Sequence, residues 1–91
     1  MNKKNIIEKI NLFLIEDFEI EPDVILPESK IIDDLDIDSL DFVDIVVFTD
    51  SIFGIKLEDK DFIDILTLQD FYDLIASWDK YGVKDYSTEY E

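Results

Sequence analysis

The chain has 91 residues, a length that suits one small domain, and 47% of them are hydrophobic, which is enough for a core. Its 24 acidic residues face only eight basic ones, all lysines, so the formal charge is −16. This charge disfavours nucleic acid and anionic membranes and favours partners with lysine or arginine patches. The chain has no histidine or cysteine, which excludes disulfides, thiolate nucleophiles, thiolate metal sites and histidine-based triads.

The N-terminal residues do not predict a signal peptide, because Glu8, Lys9 and Asn11 interrupt their apolar stretch. No apolar run approaches the roughly 20 residues of a membrane span. We therefore expect a cytoplasmic protein without a membrane-spanning segment.

Apolar residues recur every three or four positions from Ile6 to Leu14 and predict an amphipathic helix over about Lys3 to Asp17. The periodicity then fails from Phe18 to Asp38, a segment that contains two prolines. We expect a long loop there, and loops of this length are often functional. Its expected buried anchors are Val24, Leu26, Ile32 and Leu35.

Helical spacing returns after the loop and predicts a second helix that starts at Ser39 and ends at Gly54. Ile55 and Leu57 are expected to anchor the connection that follows. The apolar stripe of this helix is expected to face the core; it consists of Leu40, Val43, Val46, Val47, Ile52 and Phe53. Phe62, Ile63 and Ile65 are expected in the same core, and exposure of Leu40 and Val47 to partner enzymes is the alternative.

Two shorter helices are predicted in the C-terminal part. The segment from Asp59 to Leu66 has room for about two turns. Thr67 and Asp70 resemble a capping box and predict a fourth helix that closes near Lys80 to Gly82. The expected fold is therefore an all-α, four-helix bundle over residues 1–80, with a flexible tail over residues 81–91.

One serine lies among aspartates where the loop meets the second helix, in Asp36-Ile37-Asp38-Ser39-Leu40-Asp41. Without histidine or cysteine, the chain has no evident base that would activate this hydroxyl. Asp38 or Ser39 could simply cap the helix by accepting hydrogen bonds from its free N–H groups. A helix N-terminus also favours anions, so Ser39 equally suits a phosphate ester.

The acidic residues before the serine invite a test for calcium binding. Asp34, Asp36 and Asp38 match the first three ligands of an EF-hand loop. Ser39 then stands where glycine is expected, and Ile45 where a bidentate glutamate is expected. The sequence therefore predicts no EF-hand, and at most weak binding of divalent ions.

The segment Asp38-Ser39-Leu40-Asp41, at the start of an acidic helix, resembles the attachment motif of acyl carrier proteins. The resemblance extends over roughly residues 3 to 78. Further segments in family-like order are Asp33-Asp34-Leu35, Val43-Asp44-Ile45, Phe53-Gly54-Ile55 and Thr67-Leu68-Gln69-Asp70. In that family a transferase joins 4'-phosphopantetheine from coenzyme A to the motif serine, and the arm's thiol holds an acyl group as a thioester.

The resemblance implies a carrier rather than an enzyme, with 4'-phosphopantetheine attached to Ser39 and with Asp38 and Asp41 positioning that serine. The implied partner-binding residues are Leu40, Asp44, Val47 and Asp50. The implied acyl pocket consists of Val43, Val46, Phe53, Phe62, Ile63 and Ile65. We expect a monomer whose partners are a phosphopantetheinyl transferase (holo-carrier-protein synthase) and acyl transferases, ketosynthases or related enzymes with basic docking patches.

The sequence departs from the family pattern at several positions. Asp36 stands where many members have glycine, Thr49 where an aliphatic residue is usual and Glu58 where proline is common, while Phe42 and Phe48 are bulky for the second helix. These departures make a specialised lipid or polyketide pathway a candidate beside fatty-acid synthesis. Two alternatives stay open: a peptidyl or aminoacyl carrier, and an unmodified acidic interaction module.

Overall fold

A computed structural model describes residues 2–78 and confirms the all-α class. Its three α-helices are α1 (Lys3–Phe18), α2 (Phe42–Phe53) and α3 (Leu68–Ala76). Two short 3-10 turns cover Pro22–Val24 and Asp59–Phe62. The predicted four-helix count is not confirmed, because the third predicted helix is a four-residue 3-10 turn. The predicted tail over residues 81–91 lies outside the described residues.

Helix α1 matches its prediction to within one residue. Asn2 caps its start by accepting a hydrogen bond from the Asn5 N–H at 2.9 Å. Ile6, Ile10 and Leu14 are its buried residues, and their spacing of four places one stripe against the core. The helix ends at Glu19, which adopts a left-handed conformation (φ 56°).

The loop after α1 packs differently from the prediction. Leu35 is buried as expected, but Val24, Leu26 and Ile32 are exposed. Ile31 and Ile37 are the additional apolar anchors. The reason is backbone pairing: the Ile31 N–H donates to the Leu66 carbonyl at 3.0 Å, which fixes Ile31 inward. The chain then turns over residues 31–35, where the N–H groups of Asp34 and Leu35 donate to the Lys30 carbonyl, and this turn leaves Ile32 exposed.

The loop also secures the start of α3. A single antiparallel bridge joins Lys30 to Thr67. The N–H groups of Leu68 and Gln69 donate to loop carbonyls at 3.0 and 2.8 Å. Thr67 and Asp70 form the predicted capping box. The free donors of the first turn of α3 are thus satisfied by the long loop, which is held as a folded element.

The buried face of α2 is not the predicted one. Its buried residues are Ile45 and Thr49, whereas Leu40, Val43, Val47 and Ile52 are exposed. Val46 and Phe53 are half-buried against the core. Periodicity failed because apolar residues occupy every face of this helix. The buried Thr49 hydroxyl donates to the Val46 carbonyl at 3.0 Å, which removes the cost of burying it.

The segment between α2 and α3 is mostly extended. Gly54 ends α2 as predicted, with φ 70°, and Ile55 and Leu57 are the expected buried anchors. The predicted helix over Asp59 to Leu66 stops after one 3-10 turn, because Leu66 must pair with the loop. Ile63, expected in the core, is 78% exposed.

Helices α1 and α3 are joined by polar contacts as well as by the core. The buried Tyr72 hydroxyl donates to Asn11 Oδ1. Burial raises the pKa of Tyr72, and the hydrogen bond to Asn11 opposes this shift. Lys3 Nζ and Asp73 Oδ1 form an exposed ion pair at 2.6 Å.

Helix α3 ends earlier than predicted. Its last helical residue is Ala76, before the expected end near Lys80 to Gly82. The Ser77 hydroxyl donates to the Asp73 carbonyl at 2.7 Å and thereby occupies an acceptor at the helix end. Within residues 2–78, no helix combines the length and the apolar character that crossing a bilayer requires.

Candidate functional site

Ser39 lies in a tight turn directly before α2. Asp38 Oδ1 accepts hydrogen bonds from the Leu40 N–H at 3.0 Å and the Asp41 N–H at 3.1 Å. In return, Asp41 Oδ2 accepts from the Asp38 N–H at 3.2 Å. The two carboxylates therefore clamp the backbone on both sides of Ser39. Buried Ile37 anchors the chain two residues before it.

Within this turn Asp38, and not Ser39, is the acceptor, whereas Asp41, the N-cap residue of α2, makes no side-chain capping hydrogen bond. Asp38 accepts the N–H groups, whereas the exposed Ser39 hydroxyl forms no hydrogen bond within the described residues. The prediction that α2 starts at Ser39 was wrong: the α-helix begins at Phe42, and residues 39–41 form the turn. Ser39 is thus held in place by its neighbours while its own hydroxyl stays unengaged.

The residue before this turn has an unusual backbone. Asp36 has φ 59°, in the left-handed region that favours glycine. Aspartate tolerates this conformation better than most residues. Asp36, which stands where glycine was expected, therefore lies at a position where the backbone has a positive φ.

A groove opens beside Ser39, with a volume of about 420 Å³. Its floor includes the stacked rings of Phe42 and Phe62, whose centroids are 4.5 Å apart and whose planes differ by 8°. We call this the serine groove; it is lined by Ser39, Phe42, Val43, Asp59, Phe62 and Ile63. Of the six predicted acyl-pocket residues, Val43, Phe62 and Ile63 line it, whereas Val46, Phe53 and Ile65 lie half-buried outside its lining.

The predicted partner-binding residues share the exposed side of α2. Leu40, Val43 and Val47 are 80%, 63% and 59% exposed, at helical spacing along one face. Asp44 and Asp50 are exposed too, and Asp50 pairs with Lys56 at 3.2 Å. The face therefore combines apolar side chains with carboxylates.

A second and larger groove, of about 620 Å³, lies between α1 and α2. We call it the far groove. The stacked rings of Phe13 and Phe48 lie in it, with centroids 4.1 Å apart. Exposed Leu12, Val47 and Ile52 also line it. Sequence reasoning missed this groove, although both helices carry apolar residues beyond the single stripe that a core needs.

Two carboxylates with a lowered pKa lie at α3, away from the Ser39 turn. Hydrogen bonds from the backbone N–H groups of Leu66 and Thr67 lower the pKa of Asp70. The hydrogen bond from Lys3 lowers the pKa of Asp73. Both shifts mark residues that stabilise the fold.

The chemical groups around the exposed Ser39 hydroxyl are few. Among residues 2–78 there is no group of three or more acidic, histidine or cysteine side chains that could hold a metal ion. Asp38 and Asp41 are the acidic neighbours of Ser39, and both are engaged with the backbone.

Comparison with known proteins gives relatives of one kind, although no family model matches the chain. It is 31% identical over 75 residues to an acyl carrier protein of Thermosynechococcus vestitus; this covers 82% of the chain and 93% of the relative. It is also 31% identical over 77 residues to an acyl carrier protein of Coprothermobacter proteolyticus, which covers 85% of the chain and 94% of that relative.

A shorter stretch of the chain resembles a carrier with a more specific name. The acyl carrier protein AcpXL of Brucella melitensis is 54% identical over 50 residues, which covers 55% of the chain and 54% of that protein. Together with the longer matches, which span nearly the whole of two relatives, this similarity settles the family. The chain belongs to the acyl carrier protein family, and its role is that of an acyl carrier.

Proposed function

We propose that Ser39 is the attachment point of 4'-phosphopantetheine and that the chain carries acyl intermediates as thioesters on this arm. The observation that supports the proposal is the state of the Ser39 hydroxyl: it is exposed and forms no hydrogen bond to any residue from 2 to 78, in a turn fixed by Asp38 and Asp41. A hydroxyl that only capped the helix would be engaged with an N–H group.

The residues present fit such an arm. The chain has no cysteine, so a thioester needs a thiol from elsewhere, and the bound arm supplies one at its end. Beside Ser39, the serine groove offers apolar side chains along which an apolar group could lie. Asp38 and Asp41 hold the turn, so Ser39 is presented to a transferase in one backbone conformation.

The attachment step is a phosphoryl-group transfer. Ser39 Oγ attacks the coenzyme A phosphorus that bears the pantetheine, and a new O–P bond forms. The bond from that phosphorus to the bridging oxygen breaks, and adenosine 3',5'-bisphosphate leaves with the electron pair. The hydroxyl proton is proposed to pass to a base of the transferase, while one oxygen of Asp38 and one of Asp41 keep their hydrogen bonds to the turn.

Charge determines which enzymes can approach Ser39. Asp38, Asp41 and Asp44 lie within five residues of it, in a chain of formal charge −16. We expect the transferase and the acyl-handling enzymes to meet this field with basic patches. Exposed Leu40 and Val47, with Asp44 and Asp50, form the proposed partner face.

The cargo is proposed to begin its path in the serine groove. Val43, Phe62 and Ile63 would contact it there, while the half-buried Val46, Phe53 and Ile65 lie outside the lining of this groove. Two relatives carry names from specialised lipid chemistry: AcpXL and a meromycolate extension acyl carrier protein of Mycobacterium leprae. The latter is 47% identical over 51 residues, covering 56% of the chain and 44% of that protein. We therefore favour a specialised lipid pathway over general fatty-acid synthesis.

Intact-mass spectrometry after incubation with coenzyme A and a phosphopantetheinyl transferase tests this function. We expect the mass to rise by one phosphopantetheine arm in the wild type and in Ser51→Ala, an exposed serine of α2. Ser39→Ala should stay unmodified. No mass gain with several competent transferases, or a gain that survives Ser39→Ala, would contradict the proposal.

A further inference from the structure

We propose that the far groove binds an amphipathic helix of a partner protein, with apolar side chains on one face and lysine or arginine along its edges. This surface adds α1 to the proposed partner face on α2. It is supported by the groove's shape and charge, and it does not depend on whether Ser39 carries an arm.

The far groove has a firm aromatic floor. Phe18 packs edge-on against Phe13 at 5.4 Å, and Phe53 packs edge-on against Phe48 at 5.7 Å. With the Phe13–Phe48 stack, four rings form a continuous chain between α1 and α2. Side chains of this size keep the two helices apart at the surface, so the groove is a stable feature rather than a chance gap.

The walls above this floor are apolar and accessible. Leu12 and Ile52 are 54% and 46% exposed, and Val47 stands between the groove and the proposed partner face. A groove of about 620 Å³ accommodates a short row of apolar side chains. Helix-in-groove complexes use such a row at positions i, i+3 or i+4, and i+7 of the bound helix.

The rim specifies the charge of that helix. Glu16, Asp17 and Asp44 line the groove, and none of them forms an ion pair within residues 2–78. Lys9 is the cation among the lining residues. The ion pairs of the described region, Lys3–Asp73 and Lys56–Asp50, lie elsewhere. The rim therefore carries uncompensated negative charge, which a cationic partner complements.

The same charge disfavours the other candidate occupants. A second copy of the chain brings another −16, so two copies repel each other across an acidic rim. Residues 79–91 contain more acidic residues than lysines, so they also do not complement it. A bare acyl chain would fill the floor but leave the carboxylates of the rim without partners. A basic amphipathic helix complements both parts of the groove.

The test is a titration of the ¹⁵N-labelled full chain with a synthetic helical peptide, followed by NMR. The probe peptide has leucine at successive i, i+4, i+7 and i+11 positions and lysine elsewhere. We expect saturable shifts centred on Leu12, Phe13, Phe48 and Ile52, and weaker binding at higher salt. A peptide of identical composition with its leucines spread around the helix should bind at least about tenfold more weakly.

A matched pair of double variants locates the binding. Leu12→Ser/Ile52→Ser removes two exposed apolar side chains from the far groove, and Leu40→Ser/Val43→Ser removes two from the serine side of α2. We expect the first to weaken peptide binding about tenfold and the second to change it less than about twofold.

Three results would overturn the proposal: shifts confined to Leu40 and Val43, equal binding of the spread peptide, or full binding by the Leu12/Ile52 variant. Modification by the transferase is measured on the same variants. Loss of peptide binding with normal modification supports the far groove alone, so failure here is distinguishable from failure of the Ser39 proposal.

Discussion

Each of the two grooves beside α2 contains a stacked pair of phenylalanines. We expect the elements that carry these two pairs to differ in stiffness. In the far groove, Phe48 stacks on Phe13 of the 16-residue helix α1, and two further rings brace the pair. In the serine groove, Phe42 stacks on Phe62, which lies on a four-residue 3-10 turn. The Phe13–Phe48 pair thus joins two α-helices, whereas the Phe42–Phe62 pair joins α2 to a short connection.

We relate this difference to the uses proposed for the two sides of α2. Opening the Phe42–Phe62 stack requires movement of a short segment, which costs less than moving a long helix. Such a hinged side suits cargo of changing size. The braced Phe13–Phe48 side offers a surface of constant shape, which suits recognition of a partner.

Removing one ring from each pair tests the comparison most strongly. We expect Phe48→Ala to lower the free energy of unfolding by about 3 kcal/mol, because Phe48 contacts both Phe13 and Phe53. Phe62→Ala should cost only about 1–2 kcal/mol, since its ring stacks on Phe42 from a short 3-10 turn that can readjust. Urea unfolding of both variants measures this; a larger loss for Phe62→Ala would reverse the proposed order of stiffness.

Asp70 stabilises the segment that follows Phe62, next to the serine groove. Its carboxylate accepts hydrogen bonds from the N–H groups of Leu66, at 3.0 Å, and Thr67, at 3.1 Å, and so holds the segment after Phe62. We expect Asp70→Ala to cost about 1–2 kcal/mol, as loss of a capping box does. Far-UV circular dichroism during thermal unfolding is the measurement, with the exposed Asp64→Ala as control.

The pH dependence of stability follows from the same carboxylates. The pKa values of Asp70 and Asp73 are lowered in the folded chain, so their stabilisation is present above their ordinary pKa near 3.8 and is lost as pH falls through the lower folded values. Between neutral pH and about 5, partial neutralisation of the −16 charge should instead raise stability. Asp70→Ala should flatten the decline below pH 4; a wild-type melting temperature that is flat from pH 7 to 3 would contradict both effects.

Two substitutions in the Ser39 turn should change stability by smaller amounts, and their difference separates the role of Asp38 from that of Ser39. Asp38→Ala should cost about 1 kcal/mol, because it leaves the N–H groups of Leu40 and Asp41 without their acceptor. Ser39→Ala should change stability by less than about 0.5 kcal/mol, since its hydroxyl makes no hydrogen bond within the described region. Chemical unfolding of the two variants, with Asp38→Asn as the conservative control, distinguishes the cap from the attachment point. Equal losses would show that Ser39 also caps the helix.

The smallest expected effect is a gain. Asp36→Gly should raise stability by about 0.5–1 kcal/mol, because glycine adopts φ 59° without strain. Asp33→Gly is the matched control: Asp33 has no positive φ, so glycine there should be neutral or destabilising. A stability loss for Asp36→Gly, measured by thermal unfolding, would show that the Asp36 side chain contributes more than its backbone strain costs.

Local patterns predicted α1, the Thr67–Asp70 capping box and the Gly54 stop well, because each depends on residues close in sequence. Local patterns failed where contacts between distant parts of the chain decide which side chains are buried. Ile31 turns inward because its N–H pairs with Leu66, more than 30 residues away, and the turn that follows leaves Ile32 exposed. No local rule contains that information.

The buried face of α2 was predicted wrongly for a different reason. Apolar residues surround this helix, and a polar residue, Thr49, occupies its most buried position. Hydrophobic periodicity therefore favoured the face with Leu40, Val43 and Val47, which the fold leaves exposed. Exposed apolar residues of a carrier can contact partner proteins instead of packing in the core. Composition alone therefore does not distinguish a partner-binding face from a core face.

The central claim, that Ser39 is the attachment point, is tested most directly by localising the modification. The full chain is coexpressed with a phosphopantetheinyl transferase, digested, and sequenced by tandem mass spectrometry. We expect the fragment ions to place the arm on Ser39, and on none of the other serines, Ser29, Ser51, Ser77 and Ser87. An unmodified Ser39 beside an arm on any other residue would contradict it.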